Sequence, residues 1–236
     1  MIASTLAEKT RNVLVLAVLA ALPACAVLRP PGYDLFAKAV KNGDAIRIYD
    51  TLEALIAEND DTRNDRKAAY RALRDRNEDT AEFQFAWAAV AGRFVQYKGL
   101  LAASLLKDME RHALHSRELD PHFRNGAATR LLGTLYVSAP SAFVEHGDSE
   151  VGLEMLEGLV EEYPGDPENH LFLADAYITL NDPEPAVPHL CACLAVKEHM
   201  RKDEQKLLVN LFADAGHVTC PGPTPIPVKK EKRHWL

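Results

Sequence analysis

One pattern of small and apolar residues constrains the fold of this chain most, because it fixes the spacing of two consecutive helices. In residues 165–195, apolar or aromatic side chains recur at helical spacing on both sides of a short polar turn. The positions are, in order, His170, Leu173, Ala174, Tyr177, the turn Asn181 and Asp182, Ala186 and Leu190. Small residues let two helices approach closely, while the larger ones fill the space between them. The stretch therefore predicts a helix–turn–helix unit.

The preceding stretch shows the same pattern with one interruption. Leu132, Gly133 and Tyr136 fit the first helix, and Gly152 fits the second. Two adjacent units of this kind match the tetratricopeptide repeat, a helix–turn–helix of roughly 34 residues. A loop about seven residues longer than the repeat allows lies within 138–146. We predict an all-α fold, a tetratricopeptide-like right-handed helical array (an α-solenoid). An unrelated helical bundle is the alternative.

The predicted array covers residues 34–216, as about three to four helix pairs and a C-terminal capping helix. A degenerate first repeat occupies 34–59, with a turn at Gly43 and Asp44. The other predicted helices span 62–76, 80–96, 100–119, 126–137, 149–163, 167–180, 186–197 and 203–215. Pro188 lies beyond the first-turn N–H groups that a helix leaves free, so the seventh of these should start late or bend.

The N-terminus has the composition of a signal peptide over residues 1–24. Lys9 and Arg11 precede an apolar run at 13–22, which is too short to span a bilayer comfortably. The run ends in Leu-Pro-Ala-Cys at Cys25, which resembles the lipobox of bacterial lipoproteins and implies a lipid on that cysteine. A spacer completes residues 25–33. Ala26 after the cysteine resembles an outer-membrane address. An ordinary signal peptide with an incidental cysteine is the alternative.

Charge and cysteine content narrow the classes of protein further. The net charge of -7 argues against general nucleic-acid affinity, which needs a basic surface. Residues 217–236 are proline-rich and then basic, and we predict that they are disordered. After Cys25 the chain has Cys191, Cys193 and Cys220, with no Cys-x-x-Cys pair. We predict a disulfide between Cys193 and Cys220, with Cys191 as the alternative partner.

A longer series of motifs resembles one family. Pro121–Gly126 reads PHFRNG, Arg130–Tyr136 reads RLLGTLY, Ala139–Pro140 follows, and Glu168–Tyr177 reads ENHLFLADAY. This series of motifs resembles the T-component (TatT) family associated with TRAP transporters, and the resemblance is specific over residues 121–180. The resemblance implies a periplasmic, lipid-anchored protein with a tetratricopeptide-like fold. It also implies a cleft or pore through the array, and a TRAP-type solute-binding protein as partner. A general protein–protein interaction scaffold in envelope assembly or secretion is the alternative function.

Candidate binding residues follow from these motifs. Arginine binds carboxylates with two hydrogen bonds, and insertions in repeat proteins often lie on the binding face. We therefore predict that the loop 138–146 and the segment 122–130 form one wall of the functional surface. The alternatives are that the arginines neutralise carboxylates on neighbouring helices and that the loop packs onto the core. The predicted ligand- or partner-binding residues are Phe123, Arg124, Asn125, Arg130, Tyr136, Phe143, Asn169 and Tyr177.

The sequence offers no frame for catalysis. Serine, histidine and aspartate are present, but no nucleophile elbow holds them, so we predict no enzyme activity and no cofactor. His112, His115 and Glu118 share one predicted helix at a spacing that could bind a metal ion. Such groups are more common on a solvated face, and we predict no metal site. The membrane is expected to be contacted only through the lipid.

Overall fold

The structure, a computed structural model, describes residues 32–96, 102–216 and 219–220. These residues form ten α-helices and two 3-10 turns, Ser141–Phe143 and Lys197–His199, and none of them lies in a β-strand. The α-helices are α1 (Tyr33–Asn42), α2 (Ala45–Ala57), α3 (Arg63–Arg74), α4 (Ala81–Val95), α5 (Ala102–Leu119), α6 (Ala127–Ser138), α7 (Ser149–Glu162), α8 (Pro167–Thr179), α9 (Pro183–Ala195) and α10 (Lys202–Asp214). The predicted all-α class is confirmed. The predicted signal peptide, Cys25 and nearly all of the predicted tail lie outside the described residues.

Several helices begin where the sequence supplies capping residues. Thr62 and Asp65 form a reciprocal capping box at the start of α3. The Thr80 side chain accepts a backbone hydrogen bond at the start of α4, and Asp148 and Asp166 do the same for α7 and α8. The predicted bounds of these four helices agree with the observed ones to within two residues.

The predicted late start of α9 at residue 186 is wrong. The helix begins at Pro183, and Pro188 lies in its interior. Pro183 occupies the first helical position, where its missing N–H leaves no hydrogen bond unmade. Pro188 removes one internal hydrogen bond. Ala186 and Leu190 are fully buried in the same cluster as residues of α8, and this packing offsets that loss.

Helices that are adjacent in the chain pack together as pairs. The closest associations are α4 with α5, α6 with α7 and α8 with α9, and α5 also contacts α6 while α7 contacts α8. The last helix, α10, packs against α8 and α9 and also reaches α2. The predicted last helix is therefore present, and it contacts the first third of the chain, which the sequence did not indicate.

Gly133 and Gly152 form a close crossing of α6 and α7. A Cβ atom on Gly133 would lie 2.9 Å from the Gly152 carbonyl oxygen and 2.7 Å from Leu156 Cγ. A Cβ atom on Gly152 would lie 2.7 Å from the Gly133 carbonyl oxygen. Only glycine fits at such distances, so the predicted close-packing role of Gly133 is confirmed.

The helix α4 is buried on nearly all sides. Phe83, Trp87, Val90 and Phe94 lie on one face of the helix and are buried. On the opposite side Phe85, Ala88 and Ala89 are buried as well. A helix surrounded by neighbours in this way has no solvent-exposed stripe to keep polar.

No helix in the described part of the chain combines the length and apolar character needed to cross a membrane.

The disulfide joins Cys191 to Cys220, so the preferred prediction of Cys193 as the partner is wrong. The Cys193 side chain is fully buried and donates a hydrogen bond to the Pro167 carbonyl oxygen, 3.4 Å away. Positions 191 and 193 lie on different faces of α9, and the face with Cys193 packs onto α8. Burial raises the pKa of the Cys193 thiol to about 12, so this cysteine stays protonated.

Candidate functional site

The turn between α5 and α6 has an unusual backbone. Three consecutive residues, Arg124, Asn125 and Gly126, have positive φ angles of 48°, 55° and 77°. Residues other than glycine adopt this left-handed conformation at a cost, and a run of them persists only where the surroundings hold it. Contacts with neighbouring helices therefore hold the turn, residues 121–126, in this conformation.

Arg124 ties the turn to α2. Its guanidinium donates two hydrogen bonds to the Asp50 carboxylate, at 2.6 and 2.8 Å. The same group lies 5.7 Å from the Tyr49 ring centroid and 5.5 Å from that of Phe123, close enough for cation–π attraction. Phe123 in turn packs edge-on against Phe85 of α4, with 5.6 Å between ring centroids.

Asn125 and Gly126 tie the turn to α7 and α8. Asn125 Nδ2 donates to Asp166 Oδ2 at 2.7 Å, and Asn169 Nδ2 donates to the Asn125 carbonyl oxygen at 3.3 Å. A Cβ atom on Gly126 would lie 2.3 Å from Leu159 Cδ2, which adds a steric requirement to the positive φ. The turn is thus braced from α2, α4, α7 and α8.

A cluster of charged side chains lies next to the turn and is mostly buried. It comprises Glu53, Arg93, Arg130, Glu168, Arg201, Asp203 and Glu204, and we call it the charge cluster. Arg130 donates to Asn169 Oδ1 at 2.6 Å and to Glu168 Oε2 at 2.5 Å. Arg93 donates two hydrogen bonds to Glu53, at 2.7 and 2.6 Å. These pairs connect α2 with α4 and α6 with α8.

Arg201, at the start of α10, joins the two pairs. Its guanidinium nitrogens lie 3.1 Å from Glu204, 3.2 Å from Asp203, 3.6 Å from Glu53 and 3.8 Å from Glu168. Burial alone would lower the pKa of Arg201, but the surrounding carboxylates raise it above its usual value. Burial raises the pKa of Glu204 to about 8, and the neighbouring Glu168 carboxylate acts in the same direction.

The protonation of Glu204 balances the charges. The cluster contains three arginines and four carboxyl groups, and a neutral Glu204 leaves three of each sign. Buried charges are tolerated only when they are paired and hydrogen-bonded. A protonated Glu204 therefore balances the charges of a cluster that connects α2, α4, α6, α8 and α10.

An open groove lies beside the turn, on the side of α2 and α4. It has a volume of about 360 Å³ and is lined by Asp44, Ala45, Ile46, Glu78, Thr80, Glu82, Phe83 and Phe123. Its floor is apolar, and its three acidic residues are exposed to solvent. A second space, between Val137 of α6 and Phe172 of α8, has no room for a water molecule.

The structure brings together five of the eight predicted binding residues. These are Phe123, Arg124, Asn125, Arg130 and Asn169, which belong to the turn or to the hydrogen bonds beneath it. Both arginines are paired with carboxylates of this chain. Their geometry matches the alternative in which they neutralise neighbouring helices, and their role as ligand-binding groups stays a prediction.

Three predicted binding residues lie elsewhere. Tyr136 is buried and donates to Glu110 Oε1 at 2.9 Å. Tyr177 donates to the Glu157 carboxylate and stacks on His189, 6.2 Å between ring centroids. Phe143 is partly exposed in the 3-10 turn of the inserted loop. These residues contact α5, α7 and α9 rather than the 121–126 turn.

The inserted loop packs onto α5. The backbone N–H groups of Glu145 and His146 both donate to the carboxylate of Glu110, at 2.7 Å, and Val144 is buried. Glu110 is only 1% exposed and also accepts from Tyr136, so the loop supplies part of the hydrogen bonding that this buried charge requires. Packing is therefore one function of the loop, whereas the segment 122–130 contacts α2, α7 and α8.

His112 and His115 have their shortest side-chain contacts with residues outside their own helix, although His115 Nδ1 also lies 3.5 Å from Glu118 Oε2. His112 lies 2.5 Å from Gln84 Oε1, and His115 lies 2.6 Å from Asp79 Oδ1. The described residues contain no group of three His, Cys, Asp or Glu side chains placed to hold a metal ion. Glu53 and Arg201 of the charge cluster were not identified from the sequence. No local pattern indicates them, because their partners are far apart in the sequence.

Comparison with known proteins adds no relative. No protein-family model matches the chain, and no curated protein matches it either. The resemblance of residues 121–180 to the T-component family therefore rests on the motif residues alone.

Proposed function

We propose that this chain is a lipid-anchored, non-catalytic repeat protein of the bacterial envelope. In this role it is an accessory T-component of a TRAP-type uptake system and docks a periplasmic solute-binding protein. The observation that carries the proposal is the 121–126 turn. It belongs to the motif that resembles that family, and it is held in a costly conformation by contacts with four helices. A plain connector has no need of such bracing.

A rigid, displayed turn suits protein docking. Pro121, His122 and Arg124 are exposed at its surface. Binding costs less when the contacting segment is already ordered, because less conformational entropy is lost. The adjacent groove is open, whereas small-molecule sites usually enclose most of their ligand. These features favour a protein partner over a small ligand.

The scaffold is proposed to be a tetratricopeptide-like right-handed array. Supporting observations are the sequential pairing of α4 to α9 and the Gly133–Gly152 crossing at the position where the repeat requires small residues. Arrays of this kind present extended surfaces to partner proteins. Arg124 and Arg130 serve the scaffold by bracing it, and no catalytic role is assigned to them.

The test is chemical crosslinking in native membranes followed by affinity purification of the chain. A TRAP-type solute-binding protein should be recovered, and Arg124→Ala should reduce its recovery severalfold by loosening the turn. Arg111→Ala is the matched control, because Arg111 is exposed and pairs with Asp108 on its own helix. Recovery of an assembly-machinery subunit instead would support the general envelope scaffold. Equal recovery with both variants would contradict docking at the turn.

A further inference from the structure

The groove beside the turn is lined by three acidic side chains. Its rim contains Asp44, Glu78 and Glu82, all exposed. Within the described residues, no lysine, arginine or histidine forms an ion pair with these carboxylates; Arg76 donates to the Gly43 carbonyl oxygen instead. Asp44 only caps α2, through the Arg47 N–H.

Helix ends reduce this charge without cancelling it. The N-termini of α2 and α4 lie at the groove and contribute roughly half a positive charge each, and Arg76 lies beside Gly43, so the rim keeps a smaller net negative charge. The floor is apolar, with Ile46 and Phe123 partly exposed. The groove is therefore complementary to an extended segment that combines cations with a large apolar or aromatic side chain.

The chain itself contains such a segment. Residues 226–236 read IPVKKEKRHWL, with four Lys or Arg residues and one Glu. The segment thus has a net charge of 4 − 1 = +3, and it also has Trp235 and Ile226 for the apolar floor. Its cations can pair with carboxylates, and the Trp235 ring offers a large apolar area together with a polar N–H group.

We infer that this basic C-terminal segment, residues 226–236, binds in the acidic groove between α2, α4 and the 121–126 turn. Its attachment point is fixed, because the disulfide holds Cys220 against α9. The first cation, Lys229, lies nine residues after Cys220, and the last, Arg233, lies thirteen residues after it. Fully extended chains of these two lengths span about 30 and 43 Å. By comparison, the 18-residue helix α5 is about 27 Å long. The inference does not rest on the partner proposed above, although both sites adjoin the 121–126 turn.

The two tryptophans of the chain provide the readout. Trp87 is buried in α4 and Trp235 lies in the tail, so the indole N–H signals in a 1H–15N NMR spectrum report the core and the tail separately. The full chain in detergent micelles is compared with the free peptide 226–236. In the wild type, the Trp235 signal should differ from that of the peptide. Glu78→Gln with Glu82→Gln, or 0.5 M NaCl, should move it to the peptide position, because salt screens exposed charge pairs.

A matched double variant and a lipid surface complete the test. Glu154→Gln with Glu161→Gln removes two exposed carboxylates from α7 and should leave the Trp235 signal unchanged. The Trp87 signal must stay in place in both variants, which shows that the core is intact. A Trp235 signal at the peptide position in the wild type would overturn the inference. So would equal shifts in both double variants, or a Trp235 shift that occurs only when phosphatidylglycerol vesicles are added.

Discussion

Glu204 shows how one residue can make a buried charge cluster depend on pH. It is 4% exposed, and its Oε1 atom makes no hydrogen bond of good geometry although Arg201 Nη2 lies 3.1 Å away. It faces Glu168 of α8 and Arg201. Its carboxylate, when ionised, also raises the pKa of the nearby Cys193 thiol of α9. Burial and Glu168 therefore oppose its ionisation, and the folded protein keeps its proton at pH 7.

Glu204→Gln should make the protein more stable at pH 8 to 9 and change little near pH 4. The folded-state pKa is raised to about 8 from a usual value of 4.5. Between these values the unfolded chain releases the proton and the folded chain retains it, so the stability of the wild type falls as pH rises. Glutamine mimics the protonated form and removes this loss. The melting temperatures of the wild type and of Glu204→Gln, measured at pH 4 and at pH 8 to 9, test this prediction. Glu198→Gln is the control, because Glu198 is exposed. A lower melting temperature at pH 8 would show that the Glu204 carboxylate is required.

His170 and His189 should make the α8–α9 pair sensitive to acid. Their Nδ1 atoms lie 2.9 Å apart, and His170 Nε2 lies 3.0 Å from the Pro164 carbonyl oxygen. His170 therefore donates through Nε2 and accepts from His189 Nδ1–H, a tautomer assigned from the partners. Burial, and then His170, lower the pKa of His189 to about 4 from 6.5.

Because its folded-state pKa is depressed, neutral His189 contributes stability above pH 6.5 that is lost as pH falls toward 4. An NMR titration of its ring protons should give a midpoint near pH 4. In His189→Gln, the decline in melting temperature over this pH range should be smaller than in the wild type. A midpoint near 6.5 would mean that the histidine pair is open to solvent.

At the scale of elements, local signals predicted helices well. Thr62, Thr80 and Asp166 marked helix starts because capping depends on residues within one turn. The start of α9 and the disulfide partner were predicted wrongly. Pro188 is tolerated because its neighbours Ala186 and Leu190 are buried against α8, and Cys191 forms the disulfide because Cys193 faces the core. Both outcomes depend on tertiary packing, which residue type and spacing do not encode.

Gly133→Ala should destabilise the protein although alanine is the better helix former. The added Cβ atom would meet Leu156 Cγ at 2.7 Å and a backbone oxygen at 2.9 Å. Overpacking of this kind costs about 1–3 kcal/mol, against a gain of about 1 kcal/mol in helix propensity. Gly158→Ala is the control, because α7 leaves open space there and only the propensity gain remains. Chemical denaturation measures both. Equal stabilisation of the two variants would disprove the close crossing of α6 and α7.

At the scale of the whole chain, α10 connects regions that are far apart in sequence. Lys202 pairs with Glu58 at the end of α2, while Arg201 approaches Glu53 of α2 and Glu168 of α8. Five of the predicted binding residues lie close together because they belong to two short motifs, 121–130 and 168–177, that the fold brings into contact. The motifs could not predict Glu53 or Arg201, which take part only through this long-range contact.

Cys25→Ser should release the protein from the membrane fraction. The expectation comes from the lipobox-like sequence that ends at Cys25. Two or more acyl chains give stable membrane attachment, and serine at this position would receive none. Fractionation of cells and mass spectrometry of the N-terminal peptide measure the effect. If the variant stays in the membrane fraction, and no acyl mass is found on the wild-type cysteine, the lipid anchor does not exist.

Photocrosslinking from the 121–126 turn tests the docking proposal most directly. p-Benzoylphenylalanine is introduced at position 121 of the turn or, as control, at position 154 of α7, since both positions are exposed. After irradiation of living cells, mass spectrometry identifies the crosslinked protein. Position 121 should crosslink to a TRAP-type solute-binding protein and position 154 should not. Crosslinks to such a protein from position 154 alone, or from neither position while the chain remains folded, would contradict docking at this turn.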